Sequence, residues 1–229
     1  MSLDRIDLPL LYADDDLVAV AKPSGIAVHR GLSRERLVLV DVAERLLGRP
    51  VYPVHRLDRA TSGALLLPLS SEAARLLQQQ FEAGTIDKRY LALVRGHPPE
   101  AGTIDSPVPR ALDGPRVPAL TEYRRLATWE RYALVEVRPR TGRLHQIRRH
   151  LKHLGHPLIG DVRYGKGEHN RLFRQRFGLH RLALHALSLA FVHPFSGLQL
   201  RVEAPLPPDL EGTLRAMGVD WRACYPSRP

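Results

Sequence analysis

Short apolar runs separated by turn residues dominate the hydrophobic pattern of this chain. Each run has the length and the leucine, valine and alanine content of a buried strand, and each is bounded by proline, glycine or polar residues. A further apolar stretch divides at Pro194-Phe195-Ser196-Gly197, which predicts a hairpin over residues 184–203. The other predicted strands cover residues 17–21, 64–69, 91–94, 120–127 and 132–138.

Between these strands, apolar positions recur at the spacing of a helix. Residues 38–47 place Val38, Val42 and Leu46 on one face. The other predicted helices are 71–83, capped by Ser70 or Ser71, then 145–154, and a short helix that begins near Pro207 and ends at Gly218. Two segments lack any such pattern: the proline- and glycine-rich residues 95–118 predict an irregular connection, and residues 161–181 form a polar stretch.

Charge is the first indication of function. The 229 residues include 34 lysines and arginines against 24 acids, for a net charge of +10. Four of these cations are lysines, so 34 − 4 leaves 30 arginines, whose planar guanidinium groups pair with phosphate and stack on bases. The excess of cations predicts a polyanionic partner, and nucleic acid is favoured over a membrane because no strongly amphipathic basic helix with large aromatic residues is present.

The remaining composition excludes several classes of protein. No apolar run approaches the roughly 20 residues that span a bilayer, and the N-terminus has no signal-peptide core. The single cysteine, Cys224, excludes an internal disulfide and a cysteine metal cluster. Nucleotide-binding glycine motifs are absent, so redox chemistry has no support. We therefore expect a cytoplasmic protein.

The clearest candidate for chemistry is a carboxylate between two arginines. Asp58 lies between Arg56 and Arg59, and Thr61-Ser62-Gly63 then favours a turn into a buried strand. A charged loop fixed to the end of a buried strand is a rigid support for a catalytic group. The alternative interpretation of this string alone is an ion pair at the surface.

A second polar cluster lies in the predicted helix at 145–154. Four histidines fall at positions 145, 150, 153 and 156, but only the 150/153 pair has the spacing of one helical face, so we expect no metal site. The apolar positions Leu144, Ile147, Leu151 and Leu154 predict that this helix docks on the sheet. Arg148, Arg149 and Lys152 are then left to meet phosphate or a carboxylate.

These segments resemble the RluA-type pseudouridine synthases. The shared motifs are His-Arg-Leu-Asp-x-x-Thr-Ser-Gly at 55–63, Lys88-x-Tyr90, and Gly-Arg-x-His-Gln-Ile-Arg at 142–148. Further matches are Lys22-Pro23-Ser24-Gly25, Gly155-His156-Pro157, Gly160-Asp161 and Leu184-His185-Ala186, so the resemblance runs from about Leu17 to Pro205. No single motif is specific for this family, but the whole set in this order along the chain is.

The resemblance implies an α+β fold: a pseudouridine synthase catalytic fold with a mixed, largely antiparallel central sheet flanked by helices. We expect one catalytic domain over residues 1–229, with no S4 RNA-binding domain because little precedes Leu17. The Asp58 loop and the 145–154 helix are expected to face each other across a basic cleft. Neither cofactor nor metal is expected.

The resemblance also implies roles for individual residues. Asp58 would be the essential catalytic carboxylate, Tyr90 the ring packed against the target base, and Arg148 the partner of Asp58. Arg56 would enter the RNA stack where the uridine has left, and Leu184 would line the base pocket. The residues expected to bind RNA elsewhere are Arg59, Arg149, Arg171, Arg174 and Arg181.

An aspartate suits this chemistry because a free carboxyl has a pKa of about 3.9, and a neighbouring cation lowers that pKa further. A carboxylate that stays anionic at neutral pH is suited to act as a nucleophile or base, whereas an ordinary glycosidase also needs a protonated acid. Three roles remain open for Asp58: attack on the sugar C1′, attack on the base C6, or removal of a sugar proton.

The RNA target is the least determined prediction. Residues 161–186 most resemble the TruC-type members of the family, which act on position 65 in the T-stem of certain tRNAs. We therefore expect a monomer that acts on tRNA, without a protein partner or a membrane. The alternatives are a synthase for 23S rRNA, a non-catalytic RNA-binding protein, and a metal-dependent RNase that uses the histidine cluster.

Overall fold

The computed structural model describes residues 7–30, 37–111 and 114–225. Strands and helices alternate along the first half of the chain, and the strands then form long hairpins. The elements are β1 (Leu10–Ala13), β2 (Leu17–Lys22), α1 (Leu39–Leu47), β3 (Ser62–Pro68), α2 (Ser71–Ala83), β4 (Asp87–Arg95), β5 (Ala101–Asp105), β6 (Val108–Pro109), β7 (Arg116–Val117), β8 (Leu120–Trp129), β9 (Tyr132–Pro139), α3 (Gln146–His153), α4 (Gly167–Phe177), β10 (Leu184–Val192), β11 (Gln199–Glu203), α5 (Pro208–Ala216) and α6 (Trp221–Cys224).

The chain folds into two compact units. The first comprises the residues up to Lys88 together with Ala186–Pro205, and the second comprises Arg89–His185 together with the residues from Leu206 onward. The prediction of a single catalytic domain over the whole chain stays a prediction. None of the helices in the described ranges is both long and apolar enough to cross a bilayer.

The first unit is built on the buried strand β3. All seven of its residues are buried, and it pairs antiparallel with β2, which pairs antiparallel with β1. The α2 helix packs on this sheet through Leu77, against a core that includes Leu66 and Phe191. Gly63 is required at the start of β3, because a Cβ there would lie 2.1 Å from the carbonyl oxygen of Ala186.

The second unit is an antiparallel arrangement in the order β4, β9, β8, β5. Opposite residues of antiparallel strands share a face, so Tyr90, Val137 and Tyr123, which are in register, lie on one face of this sheet. Tyr132 belongs to the other face, where its ring packs edge-on against Phe173 of α4, with 4.7 Å between the centroids. The two faces of this sheet therefore present different aromatic side chains, Tyr90 and Tyr123 on one face and Tyr132 on the other.

The predicted α+β class and the largely antiparallel sheet are confirmed. The structure also confirms the predicted ends of α2, where the sequence contains capping residues. Ser70 caps α2 by accepting a hydrogen bond from the Ala73 N–H, and Gly84 ends that helix in the left-handed conformation. Strands β10 and β11 form the predicted hairpin.

Three expectations were wrong. Residues 95–118 are not wholly irregular: they contain β5, which pairs with β8, and the short pair β6 and β7. The polar stretch 161–181 contains the eleven-residue helix α4, whose buried His169, Asn170 and Phe173 form too narrow a stripe to stand out. In α1, Leu46 is 56% exposed, and the buried residues are Leu39, Val42 and Ala43.

Candidate active site

A buried lysine organises the backbone beside the Asp58 loop. Lys22 lies at the end of β2 and is 1% exposed. Its ammonium group donates to the carbonyl oxygens of Pro23 (2.8 Å), Ile26 (2.7 Å) and Arg59 (3.3 Å). Burying a charge is unfavourable unless it is well hydrogen-bonded, and these carbonyls meet that need. The lysine of the Lys-Pro-Ser-Gly motif thus connects the 22–26 turn to the residue that follows Asp58.

Additional hydrogen bonds join the same two segments. The Ser24 hydroxyl donates to the carbonyl of Ala60 (2.8 Å), and the Gly25 N–H donates to that of Arg59 (2.8 Å). In return the Arg59 Nε donates to the carbonyl of Gly25 (2.9 Å). The backbone just after Asp58 is therefore held from outside the loop.

The preceding side of the loop is anchored by His55. Its Nε2 accepts a hydrogen bond from the Leu66 N–H of β3 (2.9 Å), and its ring stacks on Phe81 with 4.5 Å between the centroids. Burial and the nearby charge of Lys88 lower the pKa of His55 from 6.5 to about 3. The imidazole is therefore neutral at physiological pH, as an acceptor at Nε2 requires.

This anchor predicts a pH-dependent contribution to stability. Because the pKa of His55 is lower in the folded protein, the unfolded chain binds an extra proton once the pH falls below about 6.5. The stabilisation is complete above that pH and decreases towards pH 3, by up to about 1.4 kcal/mol per pH unit. We expect His55→Gln, which keeps an acceptor and cannot titrate, to flatten this dependence in urea unfolding between pH 7.5 and 4. The exposed-histidine control His180→Gln should follow the wild type, and parallel curves for His55→Gln and the wild type would contradict the assignment.

Asp58 itself lies between these two anchors. It is partly exposed, next to the buried Leu57, and its carbonyl accepts a hydrogen bond from the Thr61 N–H (3.0 Å). The side chains of Arg56 and Arg59 are exposed on either side of it. The loop thus presents one carboxylate and two guanidinium groups on a fixed backbone.

In the second unit, Tyr90 and α3 occupy the same face of the sheet. Tyr90 is 9% exposed and lies in register with Val137. The α3 helix docks on this face through Gln146, whose Nε2 donates to the Thr121 hydroxyl (2.9 Å), and through His150, whose Nδ1 lies 2.8 Å from the same hydroxyl. Arg148 is carried by this helix.

Gln146 shapes the turn that leads into α3, a role that sequence reasoning missed. Its Oε1 accepts hydrogen bonds from the Thr141 hydroxyl (2.7 Å) and the Arg143 N–H (2.9 Å), and its Nε2 also donates to the carbonyl of Leu120 (2.9 Å). A buried amide with this many partners fixes both the turn and the helix start. The sequence signal for this residue was its place in the Gly-Arg-x-His-Gln-Ile-Arg motif at 142–148, which does not show what the side chain contacts.

Arg148 is buried and paired with a carboxylate, which is one of the two partners, phosphate or a carboxylate, that the sequence left open for it. Its Nε and Nη2 donate to Oδ2 (2.8 Å) and Oδ1 (3.0 Å) of Asp161, a bidentate pair. Burial raises the pKa of Asp161, but hydrogen bonds from Arg148 and from the Tyr164 N–H outweigh that effect and hold the pKa below its usual value. Sequence reasoning did not find this pair. The predicted contact between Arg148 and Asp58 stays a prediction.

The histidines near α3 have structural partners. Besides the Thr121 hydroxyl, His150 uses its Nε2 against the carbonyl of Ser106 (2.8 Å), and the Nδ1 of His156 lies 2.9 Å from the carbonyl of Arg95. His145 begins the helix at the strained φ of 53° and places its Nδ1 3.0 Å from the Tyr164 hydroxyl. These contacts account for the positions of the three rings.

A different group, Asp14, Asp16 and His193, has the spacing of metal ligands. The Nδ1 of His193 accepts hydrogen bonds from the N–H groups of Phe195 (3.3 Å) and Ser196 (3.1 Å), so the ring proton of the neutral imidazole lies on Nε2. That nitrogen lies 2.9 Å from Asp14 Oδ2. A nitrogen that carries a proton does not bind a cation, and this arrangement instead joins the β10–β11 turn to the loop after β1.

The remaining predicted residues are placed as follows. Leu184 is 3% exposed at the start of β10. Arg149 is half-buried on α3, and Arg171 and Arg174 are exposed on α4. Arg181 is largely buried, and its guanidinium group donates to the carbonyls of Leu182 (3.1 Å) and Leu184 (3.0 Å), so its described contacts are structural ones.

Comparison with known proteins gives a consistent match. A family profile described as RNA pseudouridylate synthase matches residues 16–153. The tRNA pseudouridine synthase C of Salmonella typhimurium is 44% identical over 96% of this chain and 92% of its own length. The protein of the same name from Pectobacterium carotovorum is 42% identical over 96% of this chain, which spans only 64% of that relative's length.

A solved structure agrees with the sequence matches. Human RNA pseudouridylate synthase domain containing 4 superposes with a TM-score of 0.75 at 30% sequence identity, covering 91% of this chain and 92% of that chain.

Proposed function

The chain belongs to the RNA pseudouridylate synthase family, and on that premise we propose that it isomerises uridine to pseudouridine within tRNA. The observation that carries the proposal is the Asp58 loop. Its carboxylate is flanked by two exposed arginines, and its backbone is held on one side by Lys22 and on the other by His55. A carboxylate mounted in this way is a preorganised catalytic group.

The reaction is an internal rearrangement. The bond from ribose C1′ to N1 of uracil breaks, the base rotates, and a bond forms between C1′ and C5. The hydrogen on C5 leaves to solvent and N1 gains a proton, so atoms balance without an added oxidant or reductant. Asp58 supplies the anionic group, while the buried Tyr90 offers a ring against which the base can stack.

The direct test follows the hydrogen that leaves C5. Purified protein is incubated with a tRNA transcript that carries tritium at uridine C5, and the tritium released to water is measured. We expect one equivalent of tritium for each modified site. Tight binding without release would instead support the non-catalytic RNA-binding alternative.

For the site within tRNA we propose position 65 of the T-stem. The support is the likeness to proteins named tRNA pseudouridine synthase C, together with the exposed Arg171 and Arg174 on α4, which suit the phosphates of a stem. Mapping pseudouridine in tRNA and in 23S rRNA from a deletion strain tests it. Loss of a 23S site with a complete tRNA set would favour the ribosomal alternative.

If the substrate uridine lies in a stem, Arg56 has a predicted role in replacing it in the base stack. A uridine inside a helix must leave the base stack, which costs a few kcal/mol, and a side chain that fills the gap offsets part of that cost. We expect Arg56→Ala to lower kcat/KM at least tenfold more for a uridine in a stable stem than for the same uridine in an open loop. Arg59→Ala is the matched control, since Arg59 is also exposed but its Nε donates to the carbonyl of Gly25. Equal losses on stem and loop substrates would exclude the proposed role.

A further inference from the structure

The segment that follows α3 forms a rigid turn at the protein surface. Asp161 Oδ1 accepts hydrogen bonds from the N–H groups of Arg163 (2.9 Å) and Tyr164 (3.0 Å), and the Gly165 N–H donates to the carbonyl of Asp161 (3.1 Å). At the tip of this turn Val162 is 86% exposed, the most exposed of the large apolar residues in the described ranges. These hydrogen bonds fix the backbone of the turn.

Four cations surround the ring of Tyr164 in this turn. The charged ends of Arg148, Arg149, Lys152 and Arg163 lie 5.0, 5.6, 5.9 and 5.9 Å from its centroid. Arg148 is neutralised by its pair with Asp161. Within the described parts of the chain, no carboxylate oxygen comes within 4.0 Å of the charged nitrogens of the other three. The cluster therefore keeps an excess of three positive charges.

Several exposed arginines elsewhere in the described parts of the chain are paired with a carboxylate. Arg140 pairs with Glu122 (2.7 Å), Arg176 with Glu130 (2.9 Å), and Arg222 with Glu211 (2.6 Å). Like charges held close together repel each other and destabilise the free protein, unless an anion binds between them. The Tyr164 cluster differs from these three pairs because its three uncompensated cations are held together around one ring.

The ring of Tyr164 holds this arrangement together. Its hydroxyl accepts a hydrogen bond from the Arg149 Nε (3.0 Å) and lies 3.0 Å from the Nδ1 of His145. The face of an aromatic ring attracts cations, which lowers the cost of their mutual repulsion. With its Nε fixed in this way, the Arg149 guanidinium still has terminal N–H groups for a phosphate.

We propose that Arg149, Lys152 and Arg163, arranged around Tyr164, form a docking surface for successive phosphates of the substrate RNA, with Val162 packing against a ribose. This inference rests on the proposed function, because it takes RNA as the substrate, and it adds the surface that holds the strand. The surface lies beside Arg148, on the helix that packs on the Tyr90 face of the sheet. It would therefore hold the strand on the same side of this sheet as Tyr90.

The test measures the salt dependence of binding to an unmodified tRNA transcript. The slope, taken as the absolute value of the change in log K with log salt, falls by about 0.7 to 0.9 for each phosphate contact that is lost. We expect Arg163→Gln to lower the slope by about one such increment, and the triple variant Arg149→Gln, Lys152→Gln, Arg163→Gln by about 2 to 3. Arg222→Gln removes the same charge from a compensated exposed pair and should leave the slope unchanged.

Two more measurements separate the effect of charge from that of the Tyr164 hydroxyl, and failure of this proposal from failure of the proposed function. Tyr164→Phe keeps all the charges and loses only the hydroxyl, so its slope should equal that of the wild type while its affinity falls a fewfold. An unchanged slope in a folded triple variant, or an equal reduction in Arg222→Gln, would overturn the proposal. Failure of the wild type to release tritium would overturn the proposed function and leave the binding result standing.

Discussion

Asp58→Asn is expected to abolish isomerisation and to leave RNA binding intact. Asparagine has the shape of aspartate but no negative charge, so it cannot act as a nucleophile or as a base. The expected loss in kcat is at least about 10³-fold, equivalent to about 4 kcal/mol of transition-state stabilisation. The loop should keep its structure, because asparagine is isosteric with aspartate and the carbonyls of residues 58, 59 and 60 still accept hydrogen bonds from Thr61, Lys22 and Ser24.

The measurement is tritium release under single-turnover conditions, together with RNA affinity. We expect the affinity of the variant to equal that of the wild type or to rise by up to about threefold, because a carboxylate repels phosphate. Asp15→Asn, the same change at an exposed position outside the loop, should turn over normally. Residual turnover by Asp58→Asn within tenfold of the wild type would exclude Asp58 as the essential carboxylate.

The part of the site that was predictable from the sequence consists of residues that are neighbours along the chain. Asp58, its flanking arginines and the turn into β3 all lie within one short segment, so their arrangement is visible as a motif. In the same way Ser70 and Gly84 marked the ends of α2 by local capping chemistry. Such local signals also sufficed for the β10–β11 hairpin.

What could not be predicted depends on partners that are distant in the sequence. Lys22 contacts the carbonyl of Arg59, 37 positions away, and His55 accepts a hydrogen bond from the N–H of Leu66. Neither pairing leaves a periodicity or a spacing to read. Strand β5 was missed for a related reason. The glycines and prolines of residues 95–118 argue against a strand there, but pairing with the distant strand β8 supplies partners for the backbone N–H and C=O groups of β5.

The Arg148–Asp161 pair is another contact between distant residues that the sequence did not reveal. An arginine on a predicted helix next to Arg149 and Lys152 resembles a surface cation, yet Arg148 is 9% exposed and both oxygens of Asp161 accept from its guanidinium group. The carboxylate therefore fixes the plane of that guanidinium. We therefore expect Asp161 to act as a positioning residue for Arg148, and this role is testable separately from that of Arg148.

Asp161→Asn is expected to reduce both stability and turnover. Removing one partner of a buried ion pair leaves an uncompensated charge, which typically costs about 3 to 5 kcal/mol. The asparagine oxygen can still accept from the N–H groups of Arg163 and Tyr164, so the turn itself should persist. Glu130→Gln, which breaks the exposed pair with Arg176, should cost less than about 1 kcal/mol in urea unfolding.

The pH dependence of the free energy of unfolding tests whether the lost stability comes from the Asp161 carboxylate. The pKa of Asp161 is lowered in the folded protein, so its contribution is present above the pKa of the unfolded chain and is lost as the pH falls through the folded value. The wild type should therefore lose more stability than Asp161→Asn does between pH 5 and pH 2. If both proteins lose the same amount, the pair does not carry the predicted linkage.

A double variant separates positioning from folding. Replacing Arg148 by methionine in the Asp161→Asn background removes the buried charge that the single change left unpaired, so stability should recover by about 2 kcal/mol or more. Turnover should not recover, because the guanidinium that the carboxylate positions is now absent. Both variants are compared in tritium release at a temperature where each is folded. Turnover that returned together with stability would show that Arg148 and Asp161 serve the fold alone, and the predicted partnership of Arg148 with Asp58 would then be wrong.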